Sequence, residues 1–316
     1  MQESLKEFIH CLCSFIFTIL FLKKLIPILT KSIPAFPNER GMHSFTKASS
    51  GGLSFILIYL ILAIYQGFYL PLFSIPMAII GIIDDRYDIS RIFRVFSQII
   101  TITFLIIFLN NDTSSVAYLF TQAGLWGYLF LLLLGTSIIN FINFMDGIDG
   151  LVCGSMIIIF LTLNGEFHYL LPIIGTLGGF LYFNWYPSKI FMGDIGSLFL
   201  GTFLVSLIFS STSGSIGILK ILLLGSPLFV DAIVCIIKRI INKKNIFNSH
   251  KSHLYQRLVL NGMKHSTVSI IYISSISLLS IFYTYSNIIN LFIASAMIFF
   301  LGVFLDKKYA LDFDKS

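Results

Sequence analysis

Charge is what this chain has least of. Only 11% of its 316 residues are Asp, Glu, Lys or Arg, while 56% are hydrophobic and 33 are Phe. A soluble domain carries about 25% charged residues, so no polar face is broad enough to wrap a soluble core. The reading is an all-α, polytopic integral membrane protein. Cysteine is scarce too: Cys11, Cys13, Cys153 and Cys235 all lie in or against apolar runs. Cys11-x-Cys13 has no second ligand pair, which leaves packing thiols rather than a disulfide or metal knuckle. The opening MQESLKEFIHCLCSFIFTILFLKK has acidic residues and no small-residue cleavage site, so it reads as a retained first helix.

A transmembrane helix needs about 17–25 apolar residues, fewer when neighbours shield it. Candidate spans are 7–29, 51–66, 68–83, 92–110, 124–142, 151–164, 168–183, 195–212, 216–238, 267–286 and 288–305. That makes about eleven helices, or ten on a stricter reading, in a single domain over 1–316. The net charge of +6 is unevenly placed. Lys31, Arg40, Lys47, Arg86, Arg91, Arg94, Lys189, Lys238, Arg239, Lys243, Lys244, Lys251, Arg257, Lys264, Lys307, Lys308 and Lys315 fall on one set of loops. Lys and Arg mark the cytoplasmic side, so loops 31–50, 84–91, 143–150, 184–194 and 239–266 are expected to share that face. The charge therefore faces lipid headgroups, not nucleic acid. These loops also hold nearly every motif, whereas the opposite loops, such as NNDTSSVAYLFTQ, are short and plain.

The acids stand out against this background. FSIPMAIIGIIDDRYDIS ends an apolar run with Asp84, Asp85 and Asp88. A charge in hydrocarbon costs roughly 2.5–3.5 kcal/mol even on the mildest scale, so such residues sit at wet sites or membrane edges. Adjacent carboxylates need a cation, an Arg or Lys, or water, and Mg2+ typically takes one or two carboxylates plus substrate phosphates. A solvated helix end beside Arg86, Arg91 and Arg94 would account for them equally well. NFINFMDGIDGL supplies Asn140, Asn143, Asp146 and Asp149 with two glycines that allow close backbone approach; a plain Asx turn is the bland alternative. FNWYPSKIFMGDIGSLFLG sets Asp194 and Ser197 at a helix start, a place for a phosphate or simply an N-cap. Lys189 faces a phosphate or snorkels. NSHKSHLYQRLVLNGMKHST holds His250, Lys251, His253, Arg257, Lys264 and His265. Anionic lipid explains the lysines but not His250-x-x-His253. Zinc is not expected there, since no Cys or further close His completes four ligands. Asp231, inside the ninth span, calls for a partner, and Lys238 lies two turns on. Glu166 and His168 read as ordinary loop residues.

Taken in order, PNER..H.......GG, GIIDD, NF.NFMDGIDGL, FN..P.K.FMGD.GS, P...DA and SHKSHLYQRL resemble the polyprenyl-phosphate N-acetylhexosamine-1-phosphate transferase family, glycosyltransferase family 4, over residues 34–268. The resemblance implies a bacterial inner-membrane enzyme whose active site faces the cytoplasm. It would move a sugar 1-phosphate from a UDP-N-acetylhexosamine to undecaprenyl phosphate and release UMP, with Mg2+ or else Mn2+. It implies Asp194 and Asn143 as metal ligands, and Asp84 and Asp85 as catalytic residues where the lipid phosphate attacks. Asp149 and Phe191 belong to the uracil end. Asp146, Asn184, Lys189, His43, His250, His253 and Arg257 complete the substrate contacts, with a homodimer admitted. A lipid phosphate is already ionised at neutral pH, its second pKa being about 6, so a strong base is not required.

Two departures refine the resemblance. Tyr255-Gln256 stands where many members carry a further histidine pair, and SFTKASS replaces a Pro/Arg-containing stretch. The HLYQRL form resembles the subgroup that initiates O-antigen on FucNAc, QuiNAc or GlcNAc, rather than the MurNAc-pentapeptide branch. Two other classes fit the residues less well. DDRYD fits an intramembrane DDxxD prenyltransferase, but MDGIDGL is no second repeat of that form. An ion-coupled transporter would carry its acids at mid-span and show an internal repeat.

Overall fold

The computed structural model describes residues 2–35, 47–167, 169–245 and 250–313. Arg40, His43 and His168 lie outside the described residues. Among the described residues fourteen α-helices run in chain order: α1 Gln2–Ser32, α2 Gly52–Tyr65, α3 Ile75–Tyr87, α4 Arg91–Leu109, α5 Val116–Thr121, α6 Leu125–Met145, α7 Leu151–Leu163, α8 Leu171–Asn184, α9 Gly193–Ser210, α10 Gly214–Leu224, α11 Ser226–Ile241, α12 Leu254–Leu260, α13 His265–Tyr285 and α14 Ile288–Tyr309. Among the described residues six helices are long and apolar enough to cross a membrane, or seven if α10 and α11 count as one span. The fold is all-α and polytopic, as the composition requires.

The ninth apolar run is not the continuous helix expected. It breaks into α10 and α11, which meet at 77°. The cause is local: the break falls at Gly225, whose backbone leaves the helical values at φ −81° and ψ 0°, and Pro227 has no amide hydrogen to donate back to α10. The prolyl ring then fits the first turn of α11, where no amide hydrogen is needed.

Helix α9 is the mast of the bundle. Of its apolar window 83% is buried inside the protein, against 11% for α14. Helices α3 and α6 flank it, α1 lies along α8, and α13 covers α7. The α3–α9 approach depends on Gly81, where a Cβ would stand 2.4 Å from the Ile195 Cα. Aromatic rings fill the space behind, with Phe55 edge-on to Phe180 at 5.4 Å and Tyr59 against Phe203 at 5.5 Å.

The only strands among the described residues form a small device not foreseen from sequence. β1 Pro34–Ala35 pairs antiparallel with β2 Lys47–Ala48, and Ala48 bridges in parallel to Ile190. Phe191 N–H donates to the Ala48 carbonyl, and the Gly51 and Gly52 amides donate to the Phe191 and Met192 carbonyls, each at 2.9 Å. This seam fixes the segment that leads into α9.

Candidate active site

Three helix ends converge where that seam meets α9. Helix α3 ends at Asp88, whose backbone is left-handed at φ 47°. Asp84 Oδ1 takes the next amide, Ile89 N–H, at 2.9 Å. The bland helix-end role is thus real, but it uses only one oxygen. Asp84 Oδ2 accepts from Arg94 at 2.6 Å, and the same guanidinium nitrogen donates to Asp194 Oδ2 at 3.1 Å. Ser90, the N-cap of α4 whose hydroxyl accepts from Phe93 N–H, sets Arg94 one turn into that helix. Arg94, a helix-end surface charge by sequence alone, is the bridge between two carboxylates.

Asp85 holds the start of α9. Its Oδ1 accepts the Asp194 N–H at 2.8 Å and its Oδ2 accepts the Ser50 hydroxyl at 2.6 Å. Gly193 makes this possible. Its φ is +75°, and a Cβ there would lie 2.3 Å from Asp85 Oδ2, so only glycine fits. From α6, Asn143 Nδ2 donates to Asp194 Oδ1 at 2.8 Å and to the Ser197 hydroxyl at 2.9 Å. Both bonds use the amide nitrogen, which leaves Asn143 Oδ1 as the oxygen for a ligand. One turn earlier, Asn140 and Gln98 exchange two side-chain bonds at 2.9 and 3.1 Å, tying α6 to α4. In the α6–α7 loop, burial and then the charges of Asp194, Asp85 and Asp149 push Asp146 up to about 8. The cluster is short of positive charge.

A second group stands beside it. Asp149 accepts from Ser188 twice, from its hydroxyl at 2.8 Å and its amide at 3.1 Å. Lys47 lies 3.8 Å away and His265 Nδ1 3.7 Å away. Burial would lift this carboxyl, but His265, Lys47 and Ser188 together hold it below the usual range. Lys47 Nζ also sits 4.8 Å from the Phe191 ring centre, so Asp149 and Phe191 are neighbours across one lysine. The sequence does not mark Ser188, and it shows Lys47 and His265 only as members of basic loop stretches. They meet only because β2 and the α8–α9 connection are sewn together.

The remaining expected contacts divide. Asn184 is buried and structural: its Oδ1 accepts Gly150 N–H at 3.1 Å and its Nδ2 donates to the Ile190 carbonyl at 2.9 Å. Lys189 is exposed on the same connection. Arg257 is turned inward, bonded to Asp306 and to the Ser252 and Leu311 carbonyls. It clasps the long loop to the chain's end rather than presenting its charge. Asp231 does not pair with Lys238, which bonds Asp306 instead. It caps α12, accepting Leu254 N–H at 2.8 Å, Tyr255 N–H at 3.2 Å and the Tyr272 hydroxyl at 2.6 Å. A carboxylate facing the free amides of a helix start is well satisfied there. His253 is buried beside it. Burial favours the neutral ring, but Asp231 and then Cys235 raise it to about 9, whereas burial, His253 and Arg239 lower His250 to about 4. The two departures Tyr255 and Gln256 serve the loop itself: Tyr255 donates to the Phe144 carbonyl at 2.9 Å, and Gln256 Oε1 accepts His253 N–H at 3.2 Å. Glu166 is likewise no plain loop residue, since it accepts from Ser211, Ser213 and Tyr283.

Comparison with known proteins decides the class. The profile "Glycosyl transferase family 4" matches residues 67–212. A protein of Bacillus subtilis (strain 168), named "Probable undecaprenyl-phosphate N-acetylglucosaminyl 1-phosphate transferase", is 33% identical over 262 residues, covering 75% of this chain and 73% of its own. The chain belongs to glycosyl transferase family 4. It is an enzyme that transfers a sugar 1-phosphate to a polyprenyl phosphate, which removes the prenyltransferase and transporter readings. A decaprenyl-phosphate N-acetylglucosaminephosphotransferase of Mycobacterium leprae (strain TN) is 28% identical over 291 residues, with 74% of this chain and 72% of its own covered. A phospho-N-acetylmuramoyl-pentapeptide-transferase of Dictyoglomus thermophilum is 30% identical over 207 residues, with 56% and 65% covered. The family profile spans α3, α4, α6 and α9, the helices that carry Asp84, Asp85, Arg94, Asn143 and Asp194.

Proposed function

We propose that the enzyme transfers N-acetylglucosamine 1-phosphate, or the 1-phosphate of FucNAc or QuiNAc, from its UDP-sugar to undecaprenyl phosphate at the cytoplasmic face of a bacterial inner membrane. The whole chain acts as one transferase domain, and the product starts a lipid-linked cell-envelope polysaccharide such as O-antigen. The observation that carries this reading is the convergence on Asp194 of Arg94, Asn143 and, through its backbone, Asp85. A phosphate-oxygen nucleophile and a diphosphate repel each other, so such a reaction is mainly a matter of positioning and charge screening.

The donor set fits a hard divalent ion. Asp194 and the free Asn143 Oδ1 would hold Mg2+, with Mn2+ as the alternative, and the burial and neighbouring carboxylates that lift Asp146 support a cation there. When bound, the ion screens the diphosphate and polarises a phosphoryl oxygen. The chain's own groups do the rest. Asp84 and Arg94 lie at the lipid side, and Asp85 fixes the α9 start that presents Asp194. Asp149, Phe191 and Lys47 form the uracil end. An oxygen of the lipid phosphate bonds to the sugar-bearing phosphorus as the bond to the UMP oxygen breaks. No proton needs to be removed, so Asp84 and Asp85 act by position. His250 and Lys189 remain on the approach side of this reading, whereas Asn184 and Arg257 support its framework.

The test uses membranes containing the protein, undecaprenyl phosphate and a panel of labelled UDP-N-acetylhexosamines, with products separated by thin-layer chromatography. Labelled lipid from UDP-GlcNAc, abolished by EDTA and restored by Mg2+, is expected. Absence of labelled lipid from every sugar in the panel would overturn the reading. Orientation has its own check. A cysteine replacing Thr113 should react with an impermeant maleimide added outside intact cells, and one replacing Asn245 should not; the reverse pattern would invert the topology.

A further inference from the structure

The histidines of the long loop have a partner that the sequence hid. Cys235, in α11, lies 15 residues before His250 in the chain, yet its sulfur and one ring nitrogen each from His250 and His253 lie within 4.8 Å of one another. The sequence places no cysteine near these histidines; the fold does. Cys235 is 2% exposed and His253 4%, while His250 is half-buried at the edge of the cluster. The imidazole rings lie near parallel, 5.3 Å apart and inclined at 29°.

A second observation concerns what stands behind the cluster. His253 Nδ1 is buried and makes no hydrogen bond within the protein. Asp231 Oδ1 faces it at 3.7 Å. A carboxylate that backs an imidazole in this way is the usual outer support of a metal-bound histidine. The neighbouring cations are already committed. Arg239 donates to the Asn245 carbonyl and the Ser252 hydroxyl, and Lys238 pairs with Asp306.

We propose that Cys235, His250 and His253 form a zinc site that fastens the long basic loop to α11, separate from the carboxylate cluster. One thiolate and two imidazoles suit a borderline-soft ion and exclude Mg2+ or Ca2+, which take oxygen donors. The two positive charges of the ion meet one thiolate and the Asp231 carboxylate, while the nearby Arg239 is turned to the Asn245 carbonyl and the Ser252 hydroxyl. That compensation is what a buried ion requires. Bonds of about 2.0–2.3 Å in a tetrahedron place donors about 3.3–3.8 Å apart, so the cluster closes by about 1 Å when it binds. His250, the half-buried ligand on the loop side, makes that adjustment. A water would fill the fourth position. The site does not depend on which sugar the enzyme uses, nor on the transfer reading itself.

The experiment uses the full chain, purified in detergent without a polyhistidine tag. Loaded with Zn2+ and desalted, the wild type should retain about one zinc per chain by mass spectrometry. Loaded with Co2+, it should show a thiolate-to-cobalt charge-transfer band, which an oxygen-only Mg2+ site cannot give. C235S should lose both signals, and H250A should bind zinc at least about tenfold more weakly. Both variants are compared at equal gel-filtration profile. Should C235S not purify, H250A carries the test alone. A wild type with no retained zinc and no charge-transfer band overturns the site. So does a C235S protein that keeps the band, or an H250A protein that holds zinc as tightly as the wild type.

Discussion

Asp194→Asn lowers sugar-phosphate transfer by about 10³-fold while the protein still purifies as a folded monodisperse particle. The substitution keeps the size of the side chain and leaves an oxygen for Asn143. It removes the charge that Arg94 shares between Asp84 and Asp194. It also removes the one carboxylate set at the start of α9, where the reading places the ion. A preorganised charge contact of this kind is worth about 10²–10³ in rate, and loss of an ion ligand sits at the upper end. The fold survives because the α9 start is held by its backbone, through the amide that donates to Asp85. Rates of UMP release from purified enzyme, with Mg2+ varied, read the result. An unchanged rate would sink the ion assignment.

Gly193→Ala has nearly as large an effect without removing a single functional group. The alanine must adopt φ near +75°, and its Cβ would lie 2.3 Å from Asp85 Oδ2 and 2.8 Å from the Ser50 amide. Left-handed backbone costs an L-residue about 1–2 kcal/mol, and Asp85 must swing away from the α9 start. A shift of about 1 Å in a positioning group costs on the order of 10²-fold in rate. Transfer should therefore fall by about that factor, with a lower thermal midpoint and unchanged UDP-sugar preference. A variant with wild-type kcat would show that the Asp85 contact does not govern the chemistry.

The acids were visible in sequence because charge is so rare in this chain that each carboxylate at the end of an apolar run needs an explanation. Their partners were not. Arg94 looks like any basic residue near a membrane edge until α3, α4 and α9 are seen to meet. Lys47 reaches Asp149 only through a strand pair too short to leave a pattern in sequence. Asp231 misled for a different reason. Lys238 shares its helix and is the nearest opposite charge along the chain, but the free amides of α12 satisfied the carboxylate better. Cys235 joined His250 and His253 for the same kind of reason, a loop folding back onto the helix before it. The break between α10 and α11 was legible in principle, since Gly-Ser-Pro interrupts the run; hydropathy averaged over that window concealed it.

The enclosure of α9 bears on how the protein is made. A helix leaving the ribosome into lipid can rest there only while lipid is an acceptable neighbour. This one carries Ser197, Thr202 and Ser206 all fully buried against other helices. By the time it is synthesised α3 and α6 already exist, and together they form the socket it fills. Assembly of the carboxylate cluster is thus completed by one late insertion, which brings Asp194 to Asp85, Arg94 and Asn143. A chain halted before α9 would hold Asp84, Asp85, Arg94 and Asn143 without the Asp194 that joins them.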